Sequence, residues 1–200
     1  MFAVNKFGDG ISWETHMDEI LGDVERANKL EHKKTPTGDV IGILCKYTGG
    51  KDLLDCGCHL SRWGSLFEAN GFQYTGIDQS EKVVAKCREL YKDKKLTFLH
   101  SFLWDMTFKE QFDICFFNAV LQHNLHVEKR KIFPRVHDAL RPNGVLMITE
   151  STVTIETITQ LTHQGWIDMV QSFGFKLLET SHKNPEGVED RYVFRKIDKP

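Results

Sequence analysis

The stretch DLLDCGCHLSRWG, residues 52–64, decides the reading of this chain. Leu53 and Leu54 form a short apolar run that ends in Asp55, and Gly57 opens a turn toward a helix. A buried strand, a glycine turn and a helix start together make the local plan of a loop that cradles a nucleotide-type ligand. Glycine lets the backbone approach closely, and the first helical turn offers N–H groups that have no partner within the helix. Such loops usually carry two or three glycines, but here His59 and Ser61 stand where further glycines are expected. The stretch is either a ligand loop with altered lining or a loop that has lost its ligand.

From residue 51 onward, short apolar runs alternate with helical patterns. Strands are expected at 52–55, 73–77, 96–100, 112–117, 144–149, 175–181 and 191–196, and helices at 62–70, 80–91, 126–140 and 160–173. Strand–helix alternation implies βαβ units and a parallel sheet covered on both faces. The last two runs, GFKLLETSH and RYVFRKI, have only a loop between them and are expected to pair as an antiparallel hairpin. Before residue 51 the pattern is helical: Met17, Ile20, Leu21 and Val24 recur at three- and four-residue spacing. A second short helix around Val40–Leu44 is expected to end at Gly49-Gly50. The whole reads as one domain, with a helical cap (1–50), a ligand-binding core (51–150) and a C-terminal helix and hairpin (151–200).

Composition narrows the function classes. Two hundred residues with 40% hydrophobic and 27% charged content suit a globular protein with one core. A formal net charge of −2 gives no broad basic field for nucleic acid or anionic lipid. No apolar run reaches the roughly 20 residues that span a bilayer, and the opening residues lack a signal-peptide pattern. Five cysteines make an odd count, and only Cys56 and Cys58 sit close together, so neither a disulfide scaffold nor a metal site is expected. A reducing, cytoplasmic compartment follows, with no membrane or nucleic-acid partner and a monomer or homodimer as the assembly.

In an open parallel sheet, ligands bind beyond the carboxyl ends of the strands. After the second strand comes GIDQS, whose Asp78 lies roughly 20 positions beyond Asp55, as suits a carboxylate that accepts hydrogen bonds from ribose hydroxyls. The bland reading makes Asp78 an N-cap of the next helix, a task that Ser80 could equally perform. With DLLDCGC, YTGIDQS, FDICFFNAVLQH and LRPNGVLMITE in this order, the chain resembles the class I methyltransferases that use S-adenosylmethionine. The resemblance covers residues 51–150 closely. It implies a Rossmann-like α/β fold with a seven-stranded, mostly parallel sheet, helices on both faces and a C-terminal antiparallel hairpin.

The resemblance also implies a cofactor site. It would draw Asp55, Gly57, Cys58, His59, Ser61 and Arg62 from the first loop, Asp78 and Gln79 from the second, Phe102 and Leu103 from the third, and Asn118 from the fourth. Where the family shows Gly-Cys-Gly-x-Gly-Arg, this chain has Gly57-Cys58-His59-Leu60-Ser61-Arg62. Histidine is among the non-glycine residues enriched at positive φ, so the turn is expected to survive. Ser61 is expected first as a helix N-cap. Phe102 falls where the family often has an aspartate facing the adenine, which leaves a stacking surface in its place, with Asp105 as the other candidate.

A methyl group on a sulfonium is already activated, so positioning supplies most of the catalysis. His123, in NAVLQH after the fourth strand, is the candidate general base, with a hydrogen-bonded structural role as its alternative. That segment lacks the Asn-Pro-Pro-Tyr pattern of enzymes that methylate planar amines, so a small-molecule hydroxyl or amine, of a sugar or metabolite, is the expected acceptor. Trp13, His16, Trp104, His163 and Trp166 are candidates for holding it, against ordinary core packing. Two rivals remain. An NAD-linked oxidoreductase would need an intact G-x-G-x-x-G and further parallel units, and a non-catalytic binding module would keep the fold without turnover.

Overall fold

A computed structural model describes residues 37–182 and 189–198. The chain order is α1 (Thr37–Tyr47), β1 (Asp52–Cys56), α2 (Gly64–Ala69), β2 (Gln73–Asp78), α3 (Glu81–Leu90), β3 (Leu96–His100), β4 (Phe112–Asn118), α4 (His126–Ala139), β5 (Leu140–Ser151), α5 (His163–Gln171), β6 (Phe175–His182) and β7 (Glu189–Lys196). Short 3₁₀ turns at Leu103–Asp105 and Leu121–His123 follow β3 and β4.

The seven strands form one sheet in the order β3-β2-β1-β4-β5-β7-β6. Strands β1 to β5 pair in parallel, while β7 is antiparallel to both β5 and β6. The mostly parallel sheet with a C-terminal antiparallel hairpin is therefore present as expected. Its hairpin is folded inward, so that β7 lies inside the sheet and β6 forms the edge. The order reverses between β1 and β4, the switch point at which their carboxyl-end loops diverge and open a crevice.

The apolar runs are continuous because both faces of the sheet are covered. Leu54, Cys56, Cys115, Phe117, Leu146, Ile148, Tyr192 and Phe194 point to one face, where Ile132, Phe133 and Val136 of α4 and Trp166 and Val170 of α5 meet them. Leu53, Ile114, Phe116, Val145, Met147 and Val193 point to the other, against Val40 and Leu44 of α1, Phe67 of α2 and Val83, Val84 and Cys87 of α3. All five cysteines are free thiols and all but Cys45 are buried. Among the described residues no helix is long and apolar enough to cross a membrane.

Several boundaries differ from the sequence reading for identifiable reasons. Helix α2 starts at Gly64 and not at 62, because Ser61 sits in the left-handed region at φ 57 and cannot be helical. Ser61 is consequently no N-cap; Trp63 holds that position without a side-chain cap bond. Helix α5 begins at His163, where the Thr162 side chain accepts a hydrogen bond from the Gly165 N–H. Strand β5 begins at Leu140, well before 144. Leu140 already pairs with Phe112, and the Pro142-Asn143-Gly144 segment is carried by a register irregularity and by Asn143 at φ 64. Helix α1 matches the expected second helix of the cap, whereas Trp13, His16 and the helix around 17–24 lie outside the described residues.

Trp166 is a further correction. It was a candidate for holding an acceptor, but its indole is 0% exposed and its Nε1–H donates to the Ser151 carbonyl at 3.3 Å. It is the largest fully buried side chain of the core. Trp166→Ala is expected to lower unfolding free energy by about 3–5 kcal/mol, measured by urea denaturation, which would mark it as a packing residue.

Candidate active site at the carboxyl edge of the sheet

The loop after β1 is held open by backbone conformation and by one carboxylate. Gly57 has φ 78, and a Cβ built there would lie 2.7 Å from the Val120 side chain, so this position needs glycine twice over. His59 and Ser61 adopt φ 48 and φ 57, the conformations that glycines would adopt most readily. Gly57 and Cys58 both donate their N–H to the Ile77 carbonyl, tying the loop to β2. Cys58 is buried beneath it against Gly76, which has no side chain to obstruct the thiol.

Asp78 joins the first two loops. Its Oδ2 accepts the His59 N–H at 3.0 Å and its Oδ1 accepts the Ser80 N–H at 2.9 Å. Ser80 is the N-cap of α3, accepting from the Val83 N–H, so Asp78 is not needed for that task. A carboxylate has about four lone-pair sites, and the backbone amides of His59, Ser80 and Gln79 that favour its charged form leave some capacity for a hydroxyl donor. Burial raises the Asp78 pKa despite those N–H bonds and the nearby His100.

Asp55 is buried beneath the loop, where it accepts the Tyr74 hydroxyl at 2.6 Å; Ser61 Oγ donates to that same hydroxyl oxygen at 2.8 Å. The chain Ser61–Tyr74–Asp55 is an internal brace, and the Ser61 side chain is spent on it. Burial pushes the Asp55 carboxyl up to about 7, against the lowering influence of Tyr74 and Arg62. Arg62 lies with its guanidinium 5.5 Å from the Trp63 ring. After β3, Phe102 is 37% exposed and stacks on half-buried Trp104 with ring centroids 5.0 Å apart and planes inclined by 13°. Leu103 between them is buried in the core, and Asp105 is exposed. Gln79 lends its carbonyl to His100 Nε2.

The loop after β4 is shaped by a residue that the motifs did not single out. Glu150, 1% exposed near the end of β5, accepts the N–H groups of Val120, Leu121 and Gln122 at 3.0, 2.8 and 3.0 Å. Burial pushes its pKa up to about 7 although all three amides and Lys129 favour the charged form. The only sequence signal was an acid ending an otherwise apolar strand. Asn118, at the carboxyl end of β4, pairs with Thr149, and Ala119 follows at φ 57. Gln122 Oε1 accepts the Ser151 N–H at 2.8 Å, which turns its amide NH₂ toward His123 Nε2, 3.3 Å away. Asn124 is buried and does not cap α4; Leu125 does, with Glu128 accepting the Leu125 N–H.

Further along the same edge, His163 Nδ1 meets Asp190 Oδ2 at 2.5 Å, and the Tyr192 hydroxyl donates to that oxygen at 3.2 Å. The structure thus gathers the candidates from the first, second and fourth loops around the switch point, with Phe102 and Trp104 after β3. Asp55, Cys58, Ser61 and Leu103 lie beneath the surface as supports.

Residues 54–148, the segment that supplies these loops, match the family model described as a methyltransferase domain. The chain is similar to the carboxy-S-adenosyl-L-methionine synthase of Aliivibrio salmonicida (strain LFI1238), at 26% identity over 122 residues, covering 56% of this chain and 48% of that protein. The corresponding synthase of Actinobacillus pleuropneumoniae serotype 7 (strain AP76) is 23% identical over 197 residues, covering 90% of this chain and 78% of that protein. The match thus spans about half the length of the first relative and most of the second. In fold, the chain is similar to the Burkholderia thailandensis 1,6-didemethyltoxoflavin-N1-methyltransferase, solved with 1,6-didemethyltoxoflavin and S-adenosylhomocysteine, with a TM-score of 0.74, 17% identity and coverage of 91% and 87% of the two chains.

Asp55 and Glu150 contribute a pH dependence of stability in an unusual direction. Their folded pKa values of about 7 lie above the ordinary 3.8 and 4.5, so the folded state binds their protons more tightly than the unfolded state. The stability these two groups contribute is therefore fully present below about pH 4 and is lost as pH rises from about 4 to 7. The thermal midpoint is expected to fall between pH 5.5 and 7.5, with a shallower slope in Asp55→Asn.

Proposed function

We propose that this chain is an S-adenosylmethionine-dependent methyltransferase acting on a small-molecule acceptor. The observation that carries this reading is Asp78, half-buried at the carboxyl end of β2 beside the β1/β4 switch point, with both oxygens anchored by backbone amides. It would accept the two ribose hydroxyls, and its charge would repel a 2′-phosphate. The Phe102 ring offers a stacking face for the adenine in place of a hydrogen-bonding acid. His59 and Gly57 keep the loop backbone in the conformation that close approach requires. Cys58, Ser61, Asp55 and Leu103 would shape the site from beneath, with Arg62, Gln79 and Asn118 at its margin. The residues present therefore fit a sulfonium nucleoside.

When bound, that nucleoside supplies a methyl group already activated for transfer. The chain's task is then to align the acceptor, exclude water and remove a proton where one must leave. His123 flanks the acceptor side, and the Gln122 amide directed at its Nε2 supports a structural role over that of a base. Trp104 is accessible enough to border an acceptor. The names of the relatives and of the structural neighbour share a sulfur nucleoside and differ in the second substrate, which supports the cofactor more strongly than any particular acceptor. An NAD-linked oxidoreductase is disfavoured, because β5 is followed by an antiparallel neighbour and not by a second set of parallel units among the described residues. The free, mostly buried cysteines support a reducing, cytoplasmic compartment.

Thermal unfolding with S-adenosylmethionine, S-adenosylhomocysteine and NAD tests the reading. At 100 times the dissociation constant a ligand adds about 2.7 kcal/mol, which raises the midpoint of a domain this size by roughly 5–10 °C. Both sulfur nucleosides are expected to produce that shift and NAD none, and Asp78→Asn should remove most of it. A folded protein that responds to neither sulfur nucleoside would refute the proposal.

A further inference from the structure

We propose that His163 is the proton acceptor of the transfer step and that the acceptor molecule therefore presents a hydroxyl group. The inference rests on the sulfur-nucleoside reading above and deepens it. His163 opens α5, whose N-terminus lies at the carboxyl edge of the sheet, and its side chain is 36% exposed. Behind it, Asp190 is 1% exposed and places Oδ2 2.5 Å from His163 Nδ1. A carboxylate can only accept, so Nδ1 carries the proton and the lone pair of the neutral ring resides on Nε2. Tyr192, buried beside them, donates to the same carboxylate oxygen and closes the rear of the imidazole.

This cluster is joined to the site already described. Asp190 is the direct cross-strand partner of Glu150, and opposed residues of an antiparallel pair share a face. Glu150 holds the 120–122 amides, and Ser151 beside it donates to Gln122. The β4 loop and the His163 cluster are thus fixed to adjacent positions of one strand pair. The contrast with His123 favours His163: a side-chain amide donor is aimed at Nε2 of the former, whereas a buried carboxylate at Nδ1 sets the tautomer of the latter. A buried acid behind the imidazole also fixes the orientation of the ring, as in other acid–histidine pairs.

In the step proposed, His163 Nε2 takes the hydroxyl proton as the acceptor oxygen uses a lone pair to form its bond to the methyl carbon. The carbon–sulfur bond breaks, its electron pair returns to sulfur, and S-adenosylhomocysteine results. His163 then releases the proton to solvent. An amine acceptor has its own lone pair available when neutral and needs such a base less, which is why the cluster points to a hydroxyl.

The test combines three measurements on the full chain. Calorimetry reads S-adenosylhomocysteine binding. Radiolabelled methyl transfer from S-adenosylmethionine is read on a panel of phenols and aliphatic alcohols, each matched by the amine of the same skeleton. Long-range ¹H–¹⁵N spectra of the imidazoles read the His163 tautomer. The wild type is expected to bind the nucleoside, to methylate hydroxyl members of the panel and to show His163 protonated at Nδ1. His163→Gln should lower kcat by about 100-fold or more, with nucleoside affinity within about twofold. Asp190→Asn and the milder Tyr192→Phe act through His163, which makes Asp190 and Tyr192 positioning residues. Asp190→Asn should lower kcat by at least about tenfold and shift the tautomer pattern. Nucleoside binding combined with transfer to amines only, with transfer to no hydroxyl, or with an undiminished rate in His163→Gln would overturn this inference alone. Failure of the wild type to bind the nucleoside would overturn the cofactor reading as well.

Discussion

Glu150 brings a carboxylate into a part of the molecule where water cannot follow, and the amides of Val120, Leu121 and Gln122 take water's place. Three backbone donors on one acidic side chain fix the path of the chain as it leaves β4. That path sets Val120 against Gly57 and turns Gln122 toward Ser151 and His123. Lys129 is buried on the same side, donating to the carbonyls of Asn124 and Thr159 and lying 5.5 Å from the Trp166 ring. Burial lowers its pKa to about 8, while Glu150 opposes that shift. A buried carboxylate is costly unless its lone pairs are met, and removing one partner is costlier than never having built the arrangement. The loop edge is therefore rigid for electrostatic reasons more than apolar ones.

Two carboxylates complete the same design on the other side of the switch point. Asp78 clips the β1 and β2 loops together, and Asp55 braces the glycine turn from below through Tyr74 and Ser61. This brace accounts for the departure from a glycine-rich loop. Ser61 accepts a left-handed backbone, which costs a non-glycine residue about 1–2 kcal/mol, and in return its hydroxyl joins a buried hydrogen-bonded chain. His59 accepts a similar backbone and gives its N–H to Asp78. The lining is altered, yet the shape a glycine loop would take is retained.

Much of the architecture was legible because Leu53-Leu54, Ile114–Phe117 and Val145–Ile148 are apolar on both faces, a pattern that only a covered sheet explains. The position of Asp78 at the end of β2 was legible because its distance from Asp55 reflects one strand–helix–strand unit. The start of β5 was not, since Pro142-Asn143-Gly144 reads as a turn until Leu140 is seen to pair with Phe112. Trp166 could be read from sequence either as a flat contact face or as core packing, and the packing of α5 places it in the core. The His163–Asp190 pair was half legible: the histidine attracted notice, but its partner is 27 residues away and becomes its neighbour only through the inward fold of β7. Glu150 was missed because a terminal acid on a strand usually faces solvent, and nothing local announces three amides converging on it.

The placement of β7 between β5 and β6 has a consequence for how the chain is made. Residues 175–182 emerge from the ribosome before residues 189–196, yet among the described residues β6 has no sheet neighbour other than β7. Until β7 inserts, β5 presents an open edge and β6 has nothing to pair with, so a nascent chain must hold an incomplete sheet through the synthesis of this last segment. The same insertion brings Asp190 to Glu150 and His163. An intermediate that had completed β1 to β5 could thus possess the nucleoside loops while still lacking the rear wall of the proposed base. Closure of the sheet and completion of the proposed base cluster thus depend on the same strand.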